Sequence, residues 1–493
     1  MAFKRPGTEY VAAATAMTWH PREDAVQSDY PTLRATTDQA DPGLTHTLAI
    51  TNVTDLQNMT ANRAGNYYLT GDIDATATST WNAGAGFIPI GADTTTSAFT
   101  GTFDGCGYTI SSLFIDRNSN AQSLFGYVLA PAKIANVTLE SVDITGGGYY
   151  AAALVSWTQT STTNGDILIQ NCHSSGMITS HGNMGYYGGL IGRTGRKATD
   201  NVSGTNYIYD CSSSVTLDQV SATNYNYRGG LIGYAQYTTS SNCFATGSIV
   251  NGELDDDSQS LGGFVGSAAS DDVFSFCYAT GDIETVATGG GFAGGFAGFA
   301  IDATFNSCYA TGNVAAGNGI GGFVGSASGV SGGITFTDCY AWGNSTALNV
   351  VEGEVGGFAG EAYNDADITF TNCYSIGTVS GPTYTGGFIG HSHASLTASN
   401  CYWDTESSGI ATTDQNKGTG RDTASMKTKT DYAGTWDFVT IWLMADYIPA
   451  VDAYWEALDS STDIRLIPWE HSTDDAYVLQ LGHQTIGFLR TTP

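Results

Sequence analysis

The sequence predicts an all-β chain wound as a right-handed parallel β-helix, a β-solenoid, and three observations predict it. The phrase Gly-Gly-(Leu/Phe)-(Ile/Val/Ala)-Gly occurs seven times, at 188–192, 229–233, 262–266, 294–298, 321–325, 356–360 and 386–390. Each copy is answered, 13 to 22 residues after its second glycine, by a cysteine: Cys211, Cys243, Cys277, Cys308, Cys339, Cys373 and Cys401. Cys172 answers a degenerate copy at Ala152–Ser156. The second glycines are 41, 33, 32, 27, 35 and 30 residues apart. A period of this size with tolerated insertions marks a solenoid, because one unit cannot bury its apolar face without a neighbour. The right hand follows the bias of parallel crossovers.

Residues 1–46 are punctuated by Pro6, Pro21, Pro31 and Pro42 and read as an extended N-terminal arm or attachment segment. Residues 47–145 carry a helix signal and the leading rungs. Thr54-Asp-Leu-Gln57 matches a capping box, with Leu56 and Met59 on one face, and a helix there would cover the open end of the solenoid. Behind it, Tyr67–Asp74, Phe99–Gly105 and Tyr108–Ile115 alternate as strands do. Residues 146–405 are the repeat proper. In Ile334–Ala341 and Ile368–Ser375, Ile and Phe share one face and the threonines the other. The residue before each cysteine is usually Asn, Asp or Ser, as at Asn171, Asp210, Asn242, Ser307, Asp338, Asn372 and Asn400. Those types favour corners and stack into polar ladders. With a further glycine turn, three strands per coil and about nine to eleven rungs of about 4.8 Å are expected. Residues 406–447 form a C-terminal cap containing Thr435–Trp442. Residues 448–493 form a small β module for assembly or attachment.

The net charge is -30, from 17 Lys and Arg against 47 Asp and Glu, although charged residues make up only 13% of the chain. Such a field repels phosphate backbones and anionic lipid, so neither nucleic acid nor a membrane surface is an expected partner. No run of 18 apolar residues is present. The first residues do not read as a secretory signal, because Pro6, Gly7 and Glu9 interrupt them. An extracellular-looking body without such a signal fits a virion protein released by lysis. The cysteines hold one repeat position, apart from Cys106, and read as a ladder of reduced, buried thiols. No metal-ligand spacing joins them, so no metal or other cofactor is expected.

The segments Tyr68–Asp74, Phe87–Gly91, Phe99–Gly105, Gly262–Gly266, Cys277–Gly281 and Trp436–Trp442 together resemble the GLUG-repeat family of bacterial surface proteins and adhesins, over about residues 50–445. The resemblance implies a β-helical stalk or binding surface and brings no catalytic residues. Leu466–Ser472, Ala476–Gly482 and Thr485–Arg490 are similar to a short motif of bacteriophage tail-associated proteins, although Gly487 stands where that motif commonly has arginine. Three functions follow as expectations. The first is a non-enzymatic phage tail fibre or spike on the virion, contacting host cell-surface polysaccharide and other tail proteins. The others are a secreted adhesin at the bacterial cell surface and a glycan-degrading tailspike.

The strongest candidate site is a column two residues before each Gly-Gly, which begins Tyr150, Tyr186 and Tyr227. With Tyr149, Tyr187, Tyr225 and Arg228 it would make an aromatic strip for sugar rings. The same column also reads as a ladder that only stabilises adjacent rungs. Unbroken alternation would put these tyrosines on one face with Leu190 and Leu231, a conflict the sequence leaves open. The acidic runs Glu253–Asp257, Asp271-Asp272 and Asn364–Asp367 lie in expected loops, where Ca2+ is the only candidate ion. His391-Ser-His393 reads as a polar surface pair. A hydrolase would need two carboxylates about 5 to 9.5 Å apart, for example Asp166 or Asp210 from neighbouring rungs. Trp455, Trp469, Tyr477 and Phe488 are the expected anchors of a homo-oligomer, by analogy with phage fibres a trimer.

Overall fold

The computed structural model describes residues 44 and 46–432 apart from short segments at 92–96, 147, 161–164, 181–184, 196–203, 220–225, 253–258, 286–289, 330–331, 349–352, 364–366, 393–395, 414–416 and 427–428. It also describes Trp436 and the backbone of short strands at 17–19, 33–35, 442–443, 467–468, 476–481 and 484–489. The chain divides into two compact units, Leu44–Asp422 and a second made of Met1–Gly43 with Thr423–Pro493.

Leu44–Asp422 is a parallel β-solenoid. The strands that lead into the Gly-Gly phrases stack into one nine-stranded sheet, and the others form a continuous 35-stranded array that wraps round the corners. Equivalent residues of successive coils are in register: Phe305 pairs with Phe336 and Phe336 with Phe370. Four strands make a repeat coil where the sequence predicts three, as in Gln259–Gly262, Val265–Ser275, Tyr278–Ala279 and Ile283–Thr285. The second of these bends at Ser270 and Asp271, both with φ near +60° (62° and 63°).

The register converts the repeat into a core. Phe264, Phe296, Phe323, Phe358 and Phe388 stack with centroids 4.7–5.0 Å apart. Phe274, Phe305, Phe336 and Phe370 form a second stack at 4.8–5.2 Å and meet the first edge-on. Each such pair contributes about 0.5–1.5 kcal/mol beyond its area burial. The eight repeat cysteines are free thiols buried in the same core, while Cys106 is free and exposed. Their Sγ atoms lie within weak hydrogen-bonding reach of backbone carbonyls, as from Cys243 to Ser241 at 3.3 Å.

The residue before each repeat cysteine is the corner. Asn171, Asp210, Asn242, Ser307, Asp338, Asn372 and Asn400 all have φ between 51° and 56°. Short polar side chains tolerate this left-handed conformation best. They also bond to one another along the axis: Asn171 donates to Asn136 at 2.9 Å and Asn400 to Asn372 at 3.2 Å.

At the start, the helix Val53–Asn58 buries Leu56, and Met59 is buried just behind it. Its cap lies two residues ahead of the sequence expectation. Asn52, not Thr54, is the N-cap and accepts from the Thr54 and Asp55 amides, while Asp55 reaches back to the Thr51 amide at 3.1 Å. Gln57, the expected box partner, instead bonds both backbone groups of Ile88. At the far end, Tyr402–Asp404 pairs with Thr419–Arg421, and the Arg421 guanidinium sits 3.7 Å over the Tyr402 ring.

In the second unit Tyr432 and Trp436 pack at 4.9 Å. Ala476–Leu481 and Gln484–Leu489 form an antiparallel hairpin that places Tyr477 opposite Phe488. Trp455 and Trp469 lie outside the described residues.

Candidate functional site

The Gly-Gly phrase resolves the conflict over which face the tyrosines occupy. Within Gly185–Gly188 the strand alternates, turning Tyr186 outward and Tyr187 inward. The strand then ends at the glycines and a new one begins at Ile191, so Leu190 returns to the core without sharing a face with Tyr186. The corner is too tight for side chains. A Cβ on Gly188 would overlap the Ile191 carbonyl oxygen, and one on Gly192 would lie 2.6 Å from the Ser156 oxygen and 2.9 Å from that of Tyr186. The strands before and after the corner therefore run close together, and their outward residues meet along an aromatic seam.

Tyr150, Tyr186 and Tyr227 are register partners in three successive coils, half-buried, with centroids 5.3 Å apart and planes within 13°. Tyr149 beside them is 44% exposed. Two expected site residues are not at the surface. Tyr187 and Arg228 are each 1% exposed. They face inward in the column that Ala151 and Leu261 continue, with the Arg228 guanidinium 5.1 Å over the Tyr187 ring. The Tyr187 hydroxyl donates to the Gly148 carbonyl at 2.9 Å. Tyr225 lies outside the described residues.

A second column, from the strands after the corner, completes the seam: Tyr127, Trp157, Arg193 and Tyr234. Trp157 stacks on Tyr150 at 5.3 Å, and Tyr234 meets Tyr186 and Tyr227 edge-on at 5.4 and 5.3 Å. The Arg193 guanidinium lies 4.9 Å from the Tyr186 centroid, 5.2 Å from Tyr234 and 5.4 Å from Trp157. Burial raises the Tyr150 and Tyr234 phenols above their ordinary range, and Arg193 partly offsets the rise. Sequence reasoning missed this column. Its signal is present, since Trp157, Arg193 and Tyr234 each stand five residues after the first residue of a phrase.

The stack uses up ring faces. Tyr186 lies between Tyr150 and Tyr227, so it offers ligands its edge and hydroxyl rather than a face. In the middle of the strip the ring faces are thus taken up by stacking, which leaves the ring edges and hydroxyls outside the stack. Towards the other end the seam turns acidic. The Glu354 carboxylate and His391 Nδ1 are 2.9 Å apart, and Tyr384 stacks on His391 at 4.0 Å. His393 lies outside the described residues.

The carboxylates considered for hydrolysis or Ca2+ have structural work. Asp166 accepts from the Thr205 amide at 2.8 Å, and Asp210 occupies a corner and accepts from Asn242 at 3.4 Å. Asp271 and Asp272 lie in a bent strand rather than a loop. Both Asp272 oxygens accept backbone amides, from Thr238 and Ala269 at 2.8 Å. Residues 253–258 and 364–366 lie outside the described residues. Among the described residues, three metal-ligand side chains converge at His46, Asp104 and Cys106. No helix among them is long and apolar enough to cross a membrane.

No family model matches the chain, so the likeness to GLUG repeats stands on its quoted segments alone. Over 152 residues the chain is 40% identical to halomucin of Haloquadratum walsbyi, a match covering 29% of this chain and 2% of halomucin. The chain thus spans a small fraction of that relative's length. Among solved structures it is similar to a candidate immunoglobulin A1 protease from Bacteroides ovatus, at 18% identity and a TM-score of 0.44, over 54% of this chain and 76% of that one.

Proposed function

We propose that the protein is a non-enzymatic binding scaffold displayed outside the cell, and that it holds polysaccharide along the aromatic seam. The observation that carries this reading is the position of Arg193 among Tyr186, Tyr234 and Trp157. A cation among aromatic rings is a local exception in a chain with 17 basic residues against 47 acidic ones, and it supports binding of hydroxyl-rich, carboxylate-bearing sugars at the seam against the repulsion of the overall field. Tyr150, Tyr186 and Tyr227 supply hydroxyls and ring edges one coil apart, with Tyr149 beside the first. Display on a phage virion, with homo-oligomeric assembly through the C-terminal hairpin, is the form of this proposal that the tail-protein motif supports; a bacterial surface adhesin would use the same seam.

Equilibrium binding of uronate-containing and neutral polysaccharides to the full chain tests the reading. Arg193→Ala should weaken binding of the acidic polymer by about tenfold or more, the loss expected of a charge-assisted contact worth about 1.5–3 kcal/mol. Unchanged affinity would remove the seam as the binding surface. Shortened polymer after incubation would replace the scaffold reading with an enzymatic one.

A further inference from the structure

His46 and Asp104 are 58 residues apart in sequence, yet His46 Nε2 lies 2.6 Å from Asp104 Oδ2. Cys106 completes the group, and one ligand atom from each of the three lies within 4.8 Å of the others. Asp104 is 7% exposed, and its Oδ1 accepts from the Cys106 amide at 2.8 Å and from Asn136 Nδ2 at 3.0 Å. Those two donors fix the carboxylate, so Oδ2 is the oxygen left to face His46. The His46 ring is stacked on Tyr68 at 4.9 Å, which sets its plane. Cys106 has φ 53°, the left-handed corner conformation that Asn136 and Asn171 adopt at the corners of the next two coils. At this one corner a thiol stands where the following coils place an amide. It is also the exposed thiol, whereas the eight repeat cysteines are buried.

We propose that His46, Asp104 and Cys106 bind a divalent transition-metal ion of the Zn2+ class. Imidazole nitrogen, carboxylate oxygen and thiolate sulfur are the donors that Zn2+ takes, and the fourth tetrahedral position is left to water. Sulfur and nitrogen donors disfavour Ca2+ and Mg2+. On binding, the thiol releases its proton to solvent, and thiolate and carboxylate together balance the ion's two positive charges. Asn136 and the Cys106 amide are the outer partners that orient the carboxylate. The ion has a structural consequence as well. His46 lies two residues before the first strand of the solenoid, Leu48–Ile50, whereas Asp104 belongs to the strand that pairs with Tyr68 and Ala135. The ion would staple the outermost strand to the coil behind it, and binding free energy would become folding free energy at the end most prone to fray.

The test uses full-length protein freed of metal with a chelator and titrated with Co2+. One equivalent should produce a near-ultraviolet thiolate-to-cobalt charge-transfer band that Zn2+ bleaches. The band should be lost in Cys106→Ser and lost or shifted in His46→Ala. Zn2+ should raise the thermal midpoint of the wild type and leave that of Cys106→Ser unmoved. An unchanged midpoint for metal-free Cys106→Ser shows that the variant folds. Absence of the band in the wild type, its persistence in Cys106→Ser, or an equal Zn2+ effect on the thermal midpoints of wild type and Cys106→Ser would each overturn the proposal.

Discussion

Tyr186 and Tyr187 are adjacent in sequence and opposite in role: Tyr186 stacks between the tyrosines of neighbouring coils on the outside, while Tyr187 is sealed in the core against Arg228. Their alanine variants should therefore separate cleanly. Tyr187→Ala empties a buried aromatic site and orphans the Gly148 carbonyl, which should cost about 3–5 kcal/mol. Tyr186→Ala loses two cross-strand stacks, about 0.5–2 kcal/mol together, and should weaken polysaccharide binding. Chemical denaturation and a binding isotherm on both variants check the pair.

The corners offer a stabilising change. Phe276 precedes Cys277 and holds φ 54°, where the equivalent corners carry Asn, Asp or Ser. A phenylalanine in the left-handed region costs about 1–2 kcal/mol relative to residues that tolerate it. Phe276 is only half-buried, so Phe276→Asn should raise stability by about 1 kcal/mol. Asn400→Ala should lower it by a similar amount, since it also breaks the bond to Asn372. Denaturation midpoints of the two variants should move in opposite directions.

Glycines that look alike in sequence should respond differently to a methyl group. A Cβ on Gly295 would overlap the Gly322 carbonyl oxygen and lie 3.0 Å from the Ala310 Cβ. Gly295→Ala must push whole coils apart and should cost about 3 kcal/mol or more. A Cβ on Gly71 would meet nothing within 4 Å, and its φ is outside the left-handed region. Gly71→Ala should be neutral or stabilising by about 0.4–1 kcal/mol, through the unfolded chain. Thermal unfolding of the two variants decides it.

Six thiols of the cysteine column set an alkaline limit. Burial pushes the Cys211, Cys243, Cys277, Cys339, Cys373 and Cys401 thiols well above the ordinary value of 9.0. Unfolded thiols ionise near that value while the folded ones keep their protons, so the folded state binds more protons above it. Stability from this source is fully present below about pH 9 and falls as pH rises towards the folded values. Denaturation curves from pH 7 to 10.5 should show a plateau and then a decline. At pH 8 a thiol reagent should label Cys106 and leave the buried column untouched until the chain unfolds.

The solenoid was legible because its signals repeat: a glycine phrase, a cysteine and a polar corner recur at one period, and parallel register turns each into a column. The exit from the Tyr186 strand was not legible, because hydrophobic alternation carries no mark where a strand stops. The Gly188-Gly189 pair ends it through close backbone approach, which appears only when neighbouring coils are in place. For the same reason Tyr187 and Arg228 read as surface residues and prove to be core. The helix cap falls at Asn52 because its side chain captures the Thr54 and Asp55 amides and starts the helix at Val53, and pattern alone does not rank Asn against Thr two residues on. His46, Asp104 and Cys106 had no signal, since 58 residues and several strands separate the imidazole from the carboxylate.

The C-terminal hairpin supplies the last prediction. Ala476–Leu481 and Gln484–Leu489 pair along their whole length, with Tyr477 opposite Phe488 and Leu479 opposite Ile486. An isolated two-stranded hairpin is marginally stable in water, so this one needs a surface to pack on. Under the assembly proposed above, that surface comes from sister copies of the chain. Deleting residues 448–493 should leave Leu44–Asp422 folded, because its coils pair with one another, and circular dichroism should remain that of a β-rich protein. Light scattering should then give the mass of a monomer. A truncated chain that keeps the oligomeric mass of the full protein would show that the hairpin is not the element that joins the copies.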